Sequence, residues 1–307
     1  MSIKMNNRKE FTLKEAFDKF KKDKKMKGLS EETIIFYKNC FKKFMNFYDG
    51  NNKIKEINKE IIEEYTIQLK ENLKNVSVNT YLRGLKSFLY YCMDKNMLDN
   101  FKISLIKVTK KKKEGYTKSQ LKKLLKKPDM KYFGEYRNWV IINMLLATGC
   151  RVRTLLNIKI KDVDIEEGYV KFRKTKQKRE QILPLPQTMQ NILIEYLNIR
   201  DGEKDNYLFC SIYGGKLTRS GLTNAIRKYN NKRGVEDTSI HKFRHTFSKM
   251  FIKNGGTIHE LKQILGHKNI KTTENYINLL IEDYKEDINA KNPLESLNKS
   301  NNKILMD

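Results

Sequence analysis

The stretch of sequence that determines this fold reads HKFRH at residues 241–245 and LGH at residues 265–267, with Tyr276 nine positions after His267. Three of the four histidines in the 307 residues lie in these two short segments. In the first segment a histidine precedes Arg244 by three positions, so both side chains share one face of a helix. In the second segment a glycine ends a helix and places the next histidine beside a cleft. The pattern predicts two helices whose ends bring cationic and titratable side chains together.

A further part of the pattern is Arg151, which follows the helix-ending pair Thr148-Gly149. Arg151 and Arg244 can clamp one phosphate, because guanidinium groups pair bidentately with phosphate oxygens and stabilise the charge of its transition state. Tyr276 can attack that phosphate, but its ordinary pKa of about 10 requires a base or positive surroundings. The departing 5′ oxygen needs a proton, which a lysine on a hairpin would supply. These residues predict cleavage of a phosphodiester by a tyrosine.

The chain is strongly basic. Lys and Arg number 63 against 36 Asp and Glu, which gives a formal net charge of +27. Such an excess favours double-stranded DNA or another polyanion as partner. The codon usage of a genome rich in A and T is an alternative explanation for the size of the charge, but not for its position. The sequence has no cluster of carboxylates typical of a Mg²⁺ site, so no metal and no cofactor is expected.

No apolar run approaches the roughly 20 residues that a membrane-spanning helix needs. The first residues, MSIKMNNRKEF, lack the apolar core of a signal peptide. The four cysteines are scattered without a C-x-x-C pair, which favours reduced thiols over disulfides or a zinc site. We therefore expect a soluble intracellular protein that has no membrane partner.

Helical signals fill the first hundred residues. A capping box at Thr12 to Glu15 opens a first helix, and Ser30, Asn58 and Ser77 are predicted to start three more. Residues 10–100 are thus a helical domain, and residues 101–115, which include a run of four lysines, are a candidate linker.

A second, mainly helical domain is predicted for residues 116–290, followed by a flexible tail at 291–307. The predicted elements are a helix opened by the capping box at 117–120, a helix around 139–146, a short helix containing Arg151, a hairpin of strands 169–173 and 181–185, helices at 241–253 and 257–265, and two helical stretches that hold Tyr276 and residues 279–288. The fold class is mainly α with a small antiparallel sheet. Residues 277–288 carry an apolar pattern that suits docking on a neighbouring subunit or packing on their own domain.

At this point the chain resembles the tyrosine recombinase, or phage integrase, family. The motifs that carry the resemblance are LLATGCR at 145–151, HKFRHTF at 241–247, LGH at 265–267 and TTENY at 272–276. The resemblance implies two domains that clamp duplex DNA: an N-terminal helical, SAM-like core-binding domain and an α-rich catalytic domain. It implies a site-specific recombinase that cuts and rejoins DNA through a 3′-phosphotyrosyl intermediate, without metal or ATP, as a homotetramer on paired sites.

The resemblance also implies a role for each site residue. Arg151 and Arg244 would bind the scissile phosphate, and Tyr276 would be the nucleophile. His241 would be the general base or a proton carrier, and His267 would hydrogen-bond the phosphate. Lys176 would be the general acid, with Lys174 as the competing candidate.

Two features depart from the family pattern. Thr154 stands where the family often has Asp or Glu, which affects the residues that support the site. Only about ten residues precede the first predicted helix, so the chain is expected to be Xer-like and to lack a separate arm-binding domain.

The alternatives to a recombinase are a type IB topoisomerase and a DNA-binding regulator that has lost catalysis. An accessory directionality factor is compatible with the sequence, which does not specify one.

Overall fold

The computed structural model describes residues 10–109, 114–173, 180–267 and 273. Contacts divide the chain into two compact units, residues 1–110 and residues 111–307. The described helices of the first unit are α1 (Leu13–Met26), α2 (Glu31–Met45), α3 (Lys59–Asn72) and α4 (Asn75–Asp94), with a 3₁₀ turn at Ile54–Glu56. The described elements of the second unit are α5 (Lys118–Leu124), α6 (Phe133–Thr148), α7 (Val152–Leu155), a 3₁₀ turn at Ile160–Asp162, β1 (Val163–Asp164), β2 (Tyr169–Phe172), β3 (Gln181–Pro184), α8 (Gln187–Arg200), α9 (Arg219–Lys232), α10 (Ile240–Lys253) and α11 (Ile258–Leu265). The predicted fold class, mainly α with a small antiparallel sheet, is confirmed.

The predicted helix starts of the first unit are mostly confirmed. The Thr12 hydroxyl accepts a hydrogen bond from the Glu15 N–H at 3.2 Å, and the Glu15 carboxylate accepts one from the Thr12 N–H at 2.8 Å. Asn58 caps α3, and Ser30 precedes α2 without a side-chain cap. The prediction for Ser77 was wrong, because α4 begins at Asn75 and Ser77 already lies in its first turn. Its N–H bonds a backbone carbonyl, so the turn closes without a capping side chain.

Aromatic rings fill the core of the first unit. Phe17 stacks on Phe41 at 3.8 Å between ring centroids and meets Phe88 edge to face at 5.3 Å. Gly84 of α4 lets α2 approach closely, because a Cβ built there would lie 2.4 Å from the Cys40 Sγ. The α2–α4 contact therefore has no room for a larger residue.

Replacing Gly84 with Ala should lower the stability of the first unit by about 1–3 kcal/mol, the usual effect of overpacking a core. Thermal unfolding followed by circular dichroism measures the change. Gly134→Ala is the matched control, since Gly134 is also helical and its added Cβ would make an ordinary contact of 3.6 Å with Ile212. An unchanged melting temperature for Gly84→Ala would contradict the tight contact.

Part of the segment predicted as a linker packs on the first unit. Ile103 is buried in its core, and the Asn79 side chain donates to the Ile106 carbonyl and accepts from the Ile106 N–H at 2.8 and 2.9 Å. Residues 110–113 and 291–307 lie outside the described residues. The domain boundaries drawn from the sequence otherwise remain predictions.

Helix α6 is the central helix of the second unit. It is apolar on most of its circumference and packs against α8, α9 and α10, which explains why its sequence shows no amphipathic period. At its C-terminal end Gly149 adopts a left-handed conformation, with φ 58°. The predicted helix and its stop are thus confirmed, and the chain leaves α6 toward Arg151.

The predicted hairpin is present as β2 and β3, which pair antiparallel with Val170 opposite Leu183 and Phe172 opposite Gln181. A third strand, β1, pairs with β2 and was missed by the sequence analysis. It has two residues, too few to show an alternating pattern. Residues 174–179 at the tip of the hairpin lie outside the described residues.

Candidate active site

The turn after α6 sets the position of Arg151. Gly149 is needed there for two reasons: its positive φ, and the Phe247 ring, which would lie 2.3 Å from an added Cβ. Arg151 is the residue before α7, with extended backbone, and not within the helix as predicted. Its side chain is half-buried and lines a cavity of about 180 Å³.

Arg244 also lines this cavity and is buried, with 7% of its surface exposed. Its Nη1 donates to the Gly149 carbonyl at 2.7 Å, and its Nη2 donates to the Leu265 carbonyl at 3.0 Å. These carbonyls lie at the C-terminal ends of α6 and α11, where a cation is favoured. Nη2 also lies 2.7 Å from the His267 Nε2. Within the described part of the chain no carboxylate pairs with Arg244; its partners there are two carbonyls and an imidazole.

The hydrogen bonds of His267 determine where its proton lies. A guanidinium only donates hydrogen bonds, so the His267 Nε2 accepts from Arg244. The Nδ1 lies 3.0 Å from the Thr273 Oγ1 and therefore carries the proton. Burial, with the charges of Arg244 and Arg151, lowers the pKa of His267 from 6.5 to about 4. The imidazole is thus neutral near pH 7, with its proton on Nδ1.

His241 lies in the first turn of α10, one turn before Arg244, and its side chain is exposed. It is not part of the lining of the described cavity. Tyr276, Lys176 and Lys174 lie outside the described residues. The structure therefore brings Arg151, Arg244 and His267 together, and places His241 nearby on the same helix as Arg244. The roles predicted for all six residues stay predictions.

Sequence reasoning missed the contribution of Gln181, the first residue of β3. Its Nε2 donates to the Gln263 carbonyl at 2.9 Å and to the Ile264 carbonyl at 2.8 Å. Both carbonyls lie in the last turn of α11, where the Gln263 carbonyl also accepts from the Gly266 N–H, so Gln181 ties the hairpin to the helix that ends beside His267. No motif marks this residue, because the contact joins segments about eighty positions apart in the chain.

Thr154 and Cys150 also line the cavity. Thr154, the departure from the family pattern, is buried and lines the cavity. Burial raises the pKa of the Cys150 thiol to about 11, so this neighbour of Arg151 is a neutral thiol and a poor nucleophile. All four cysteines are buried and free.

The described residues offer neither a metal centre nor a membrane-spanning helix. Within residues 10–109, 114–173, 180–267 and 273, no group of three or more His, Cys, Asp or Glu is placed to hold a metal ion. Over the same part of the chain, no helix has the length and apolar character needed to cross a membrane.

Comparisons with known proteins agree with this geometry. The model of the phage integrase family matches residues 115–282, and that of the SAM-like N-terminal domain of phage integrases matches residues 17–98. The chain therefore belongs to the phage integrase family. It is 30% identical over 265 residues to the tyrosine recombinase XerD of Staphylococcus haemolyticus, with 81% of this chain and 88% of that protein covered.

Solved structures show the same likeness. The XerA recombinase is 27% identical, with a TM-score of 0.53 over 92% of this chain and 99% of that one. A lambda integrase tetramer bound to a Holliday junction matches with a TM-score of 0.74 and 16% identity, over 89% of this chain and 79% of that one. The second likeness, at this identity, concerns the fold.

The lowered pKa of His267 predicts a loss of stability in acid. Since the pKa is about 4 when folded and 6.5 when unfolded, the folded chain binds fewer protons between these values. The contribution to the free energy of unfolding is complete above about pH 6.5 and is lost as the pH falls toward 4. His267→Gln keeps an acceptor for Arg244 but does not titrate, so it should reduce this loss.

Urea unfolding at about pH 7 and about pH 5 measures the effect. The control is His259→Gln, the same replacement at a histidine on the exposed surface of α11. An equal fall in stability for the wild type and His267→Gln would contradict a neutral, buried imidazole.

Proposed function

We propose that this chain is a site-specific DNA recombinase, which cuts and rejoins DNA through a 3′-phosphotyrosyl intermediate. The observation that carries the proposal is the buried guanidinium of Arg244, which has no carboxylate partner among the described residues and lines a cavity that Arg151 also lines. Buried charges in proteins are normally paired, and a phosphate would supply the missing negative charge. Membership of the phage integrase family and similarity to named tyrosine recombinases support the same conclusion.

In the proposed reaction the Tyr276 oxygen attacks the scissile phosphorus while Arg151 and Arg244 bind its non-bridging oxygens. His241 takes the tyrosine proton, the bond from phosphorus to the 5′ oxygen breaks, and a lysine protonates that oxygen. The 5′-hydroxyl of the partner strand then attacks the phosphotyrosine and releases the enzyme. Because the ester bond is kept as a covalent intermediate, rejoining needs no ATP. His267 would hydrogen-bond the phosphate.

Double-stranded DNA is the proposed partner. Helix α9, capped by Thr218, presents a polar face to solvent. The exposed side chains of this face are Arg219, Ser220, Thr223, Asn224, Arg227, Lys228 and Asn231. All can donate hydrogen bonds and none is a carboxylate, as suits contact with phosphates and base edges. Binding should therefore weaken steeply with salt.

We further propose a homotetramer on paired sites, as in the lambda integrase tetramer on a Holliday junction. An apolar groove of about 620 Å³ between α5, α6, β3 and α10 offers a docking surface in the second unit. Met250 and Phe251 are among its lining residues. Residues 277–288, whose apolar pattern suits such a groove, are the proposed occupant from a neighbouring subunit. The proposed location is the bacterial cytoplasm, at the nucleoid.

Covalent capture tests the reaction. The full chain is incubated in EDTA with a pool of nicked duplexes of randomised sequence, and DNA that stays attached on a denaturing gel is amplified and sequenced over several rounds. We expect an enriched site and an adduct that Tyr276→Phe abolishes, because phenylalanine lacks the attacking oxygen. Tyr213→Phe is the control, since Tyr213 is 91% exposed.

Each other outcome of the capture has a definite meaning. An adduct that survives Tyr276→Phe would contradict the nucleophile. DNA binding without any adduct would favour a regulator that has lost catalysis. Incubation with supercoiled plasmid that carries the enriched site distinguishes the third candidate, because relaxation without junction formation would favour a topoisomerase.

The general acid is identified by changing the leaving group. In a duplex with sulfur in place of the 5′-bridging oxygen, the leaving group is a thiolate, which needs no proton because thiol pKa values are about 8.5. Loss of the acid should slow cleavage of normal DNA by about 10²–10⁴-fold and leave cleavage of the sulfur substrate nearly unchanged. We expect this pattern for Lys176→Ala and not for Lys174→Ala. The reverse pattern would assign Lys174, and an equal slowing on both substrates would exclude both.

A further inference from the structure

Three buried side chains form a line of hydrogen bonds through the site. Thr273 bonds the Nδ1 of His267, and the Nε2 of His267 bonds Arg244. Thr273 is fully buried, and the other two are 8% and 7% exposed. The line thus links the cavity to a residue that lies three positions before Tyr276 in the chain.

Each bond in this line has one direction. Arg244 can only donate, which makes the Nε2 an acceptor and leaves the proton on Nδ1. The Thr273 hydroxyl oxygen can accept a hydrogen bond from this Nδ1–H, and its own O–H can still donate to another group. The partner of one ring nitrogen determines which nitrogen carries the proton. Arg244 thus selects the Nδ1–H form, and Thr273 stabilises that form by accepting the buried Nδ1–H, which would otherwise lose its partner.

We propose that Thr273 is a positioning residue, which fixes the ring orientation and tautomer of His267 so that Nε2 faces Arg244 and the reacting phosphate. A phosphate beside the ring favours the imidazolium, which forms by taking a proton from solvent. That proton goes to Nε2 because Nδ1 already holds one, so the bond to Thr273 persists while Nε2 changes from acceptor to donor. His267 can then pass from Arg244 to a phosphate oxygen without turning. The effect on cleavage rests on the proposed function.

The competing explanation is that Thr273 only fills space. Valine has nearly the same shape as threonine but lacks the hydroxyl, and serine keeps the hydroxyl in a smaller side chain. If packing were the whole role, Thr273→Val should behave as the wild type and Thr273→Ser should be impaired. A positioning role predicts the opposite order.

Nitrogen-15 NMR of the histidine rings tests the tautomer in the full chain without DNA. The protein has four histidines, and loss of one set of signals in His267→Gln assigns the ring. We expect the Nδ1–H signature in the wild type and in Thr273→Ser, and a shift toward the Nε2–H form in Thr273→Val. An unchanged tautomer in Thr273→Val would overturn the proposal.

Single-turnover adduct formation on the captured site, at saturating DNA, tests the effect on the reaction. Thr273→Val should slow it about tenfold, as expected for one misaligned hydrogen bond. The dissociation constant for DNA should change less than twofold, and Thr273→Ser should recover most of the rate. Thr66→Val is the control, because the Thr66 hydroxyl bonds a carbonyl of its own helix α3. A normal rate in Thr273→Val, or a slow rate not recovered by Thr273→Ser, would overturn the role.

The two experiments separate this inference from the proposed function. The NMR measurement needs no DNA and no cleavage, so it judges the tautomer even if the capture yields no adduct. An adduct that requires Tyr276, together with an unaltered tautomer in Thr273→Val, would retain the proposed function and reject the role of Thr273.

Discussion

The buried guanidinium of Arg244 is the interaction on which the second unit depends. It binds the carbonyl after α6 and the last carbonyl of α11, two helix ends that are more than a hundred positions apart in the chain. Both ends carry partial negative charge, and one cation stabilises them together. The same contacts hold the guanidinium in the lining of the cavity. The charge that organises the fold is therefore also the charge that would receive a phosphate.

The geometry of Arg244 also shapes how an anion would bind. In the described part of the chain, three of its five N–H groups are engaged, two with backbone carbonyls and one with His267. The carbonyls belong to helix ends and cannot move far, whereas the imidazole is a side chain. A phosphate that needs Nη2 must displace His267 from it. His267 would then become a neighbour of the phosphate, in agreement with the role that the family resemblance implies.

Much of the fold could be predicted because local chemistry and fold agree. The capping boxes at Thr12, Thr117 and Thr257 are all present, each with its reciprocal hydrogen bonds, and glycine ends both α6 and α11. Such signals depend on residues a few positions apart, which a sequence displays directly. The start of α4 was missed because no side chain caps it. Strand β1 was missed because it is defined by its pairing with β2.

The site could be predicted only in its residue types. The spacing of the motifs predicted Arg151, Arg244 and His267 as site residues. The tautomer of His267 and its bond to Thr273 depend on tertiary packing, which the spacing does not encode. Gln181 is a further long-range contact of this kind.

Because Arg244 bonds two helix ends, the order in which mutations would remove the site residues of an inactive descendant can be stated. Losing Tyr276, the proposed nucleophile, removes no contact described for Arg244. Losing Arg244 would free two helix ends and destabilise the fold. Selection for a folded DNA-binding protein would therefore preserve the arginine long after catalysis had lapsed. In an inactive descendant we expect the tyrosine to disappear first and the arginine to remain.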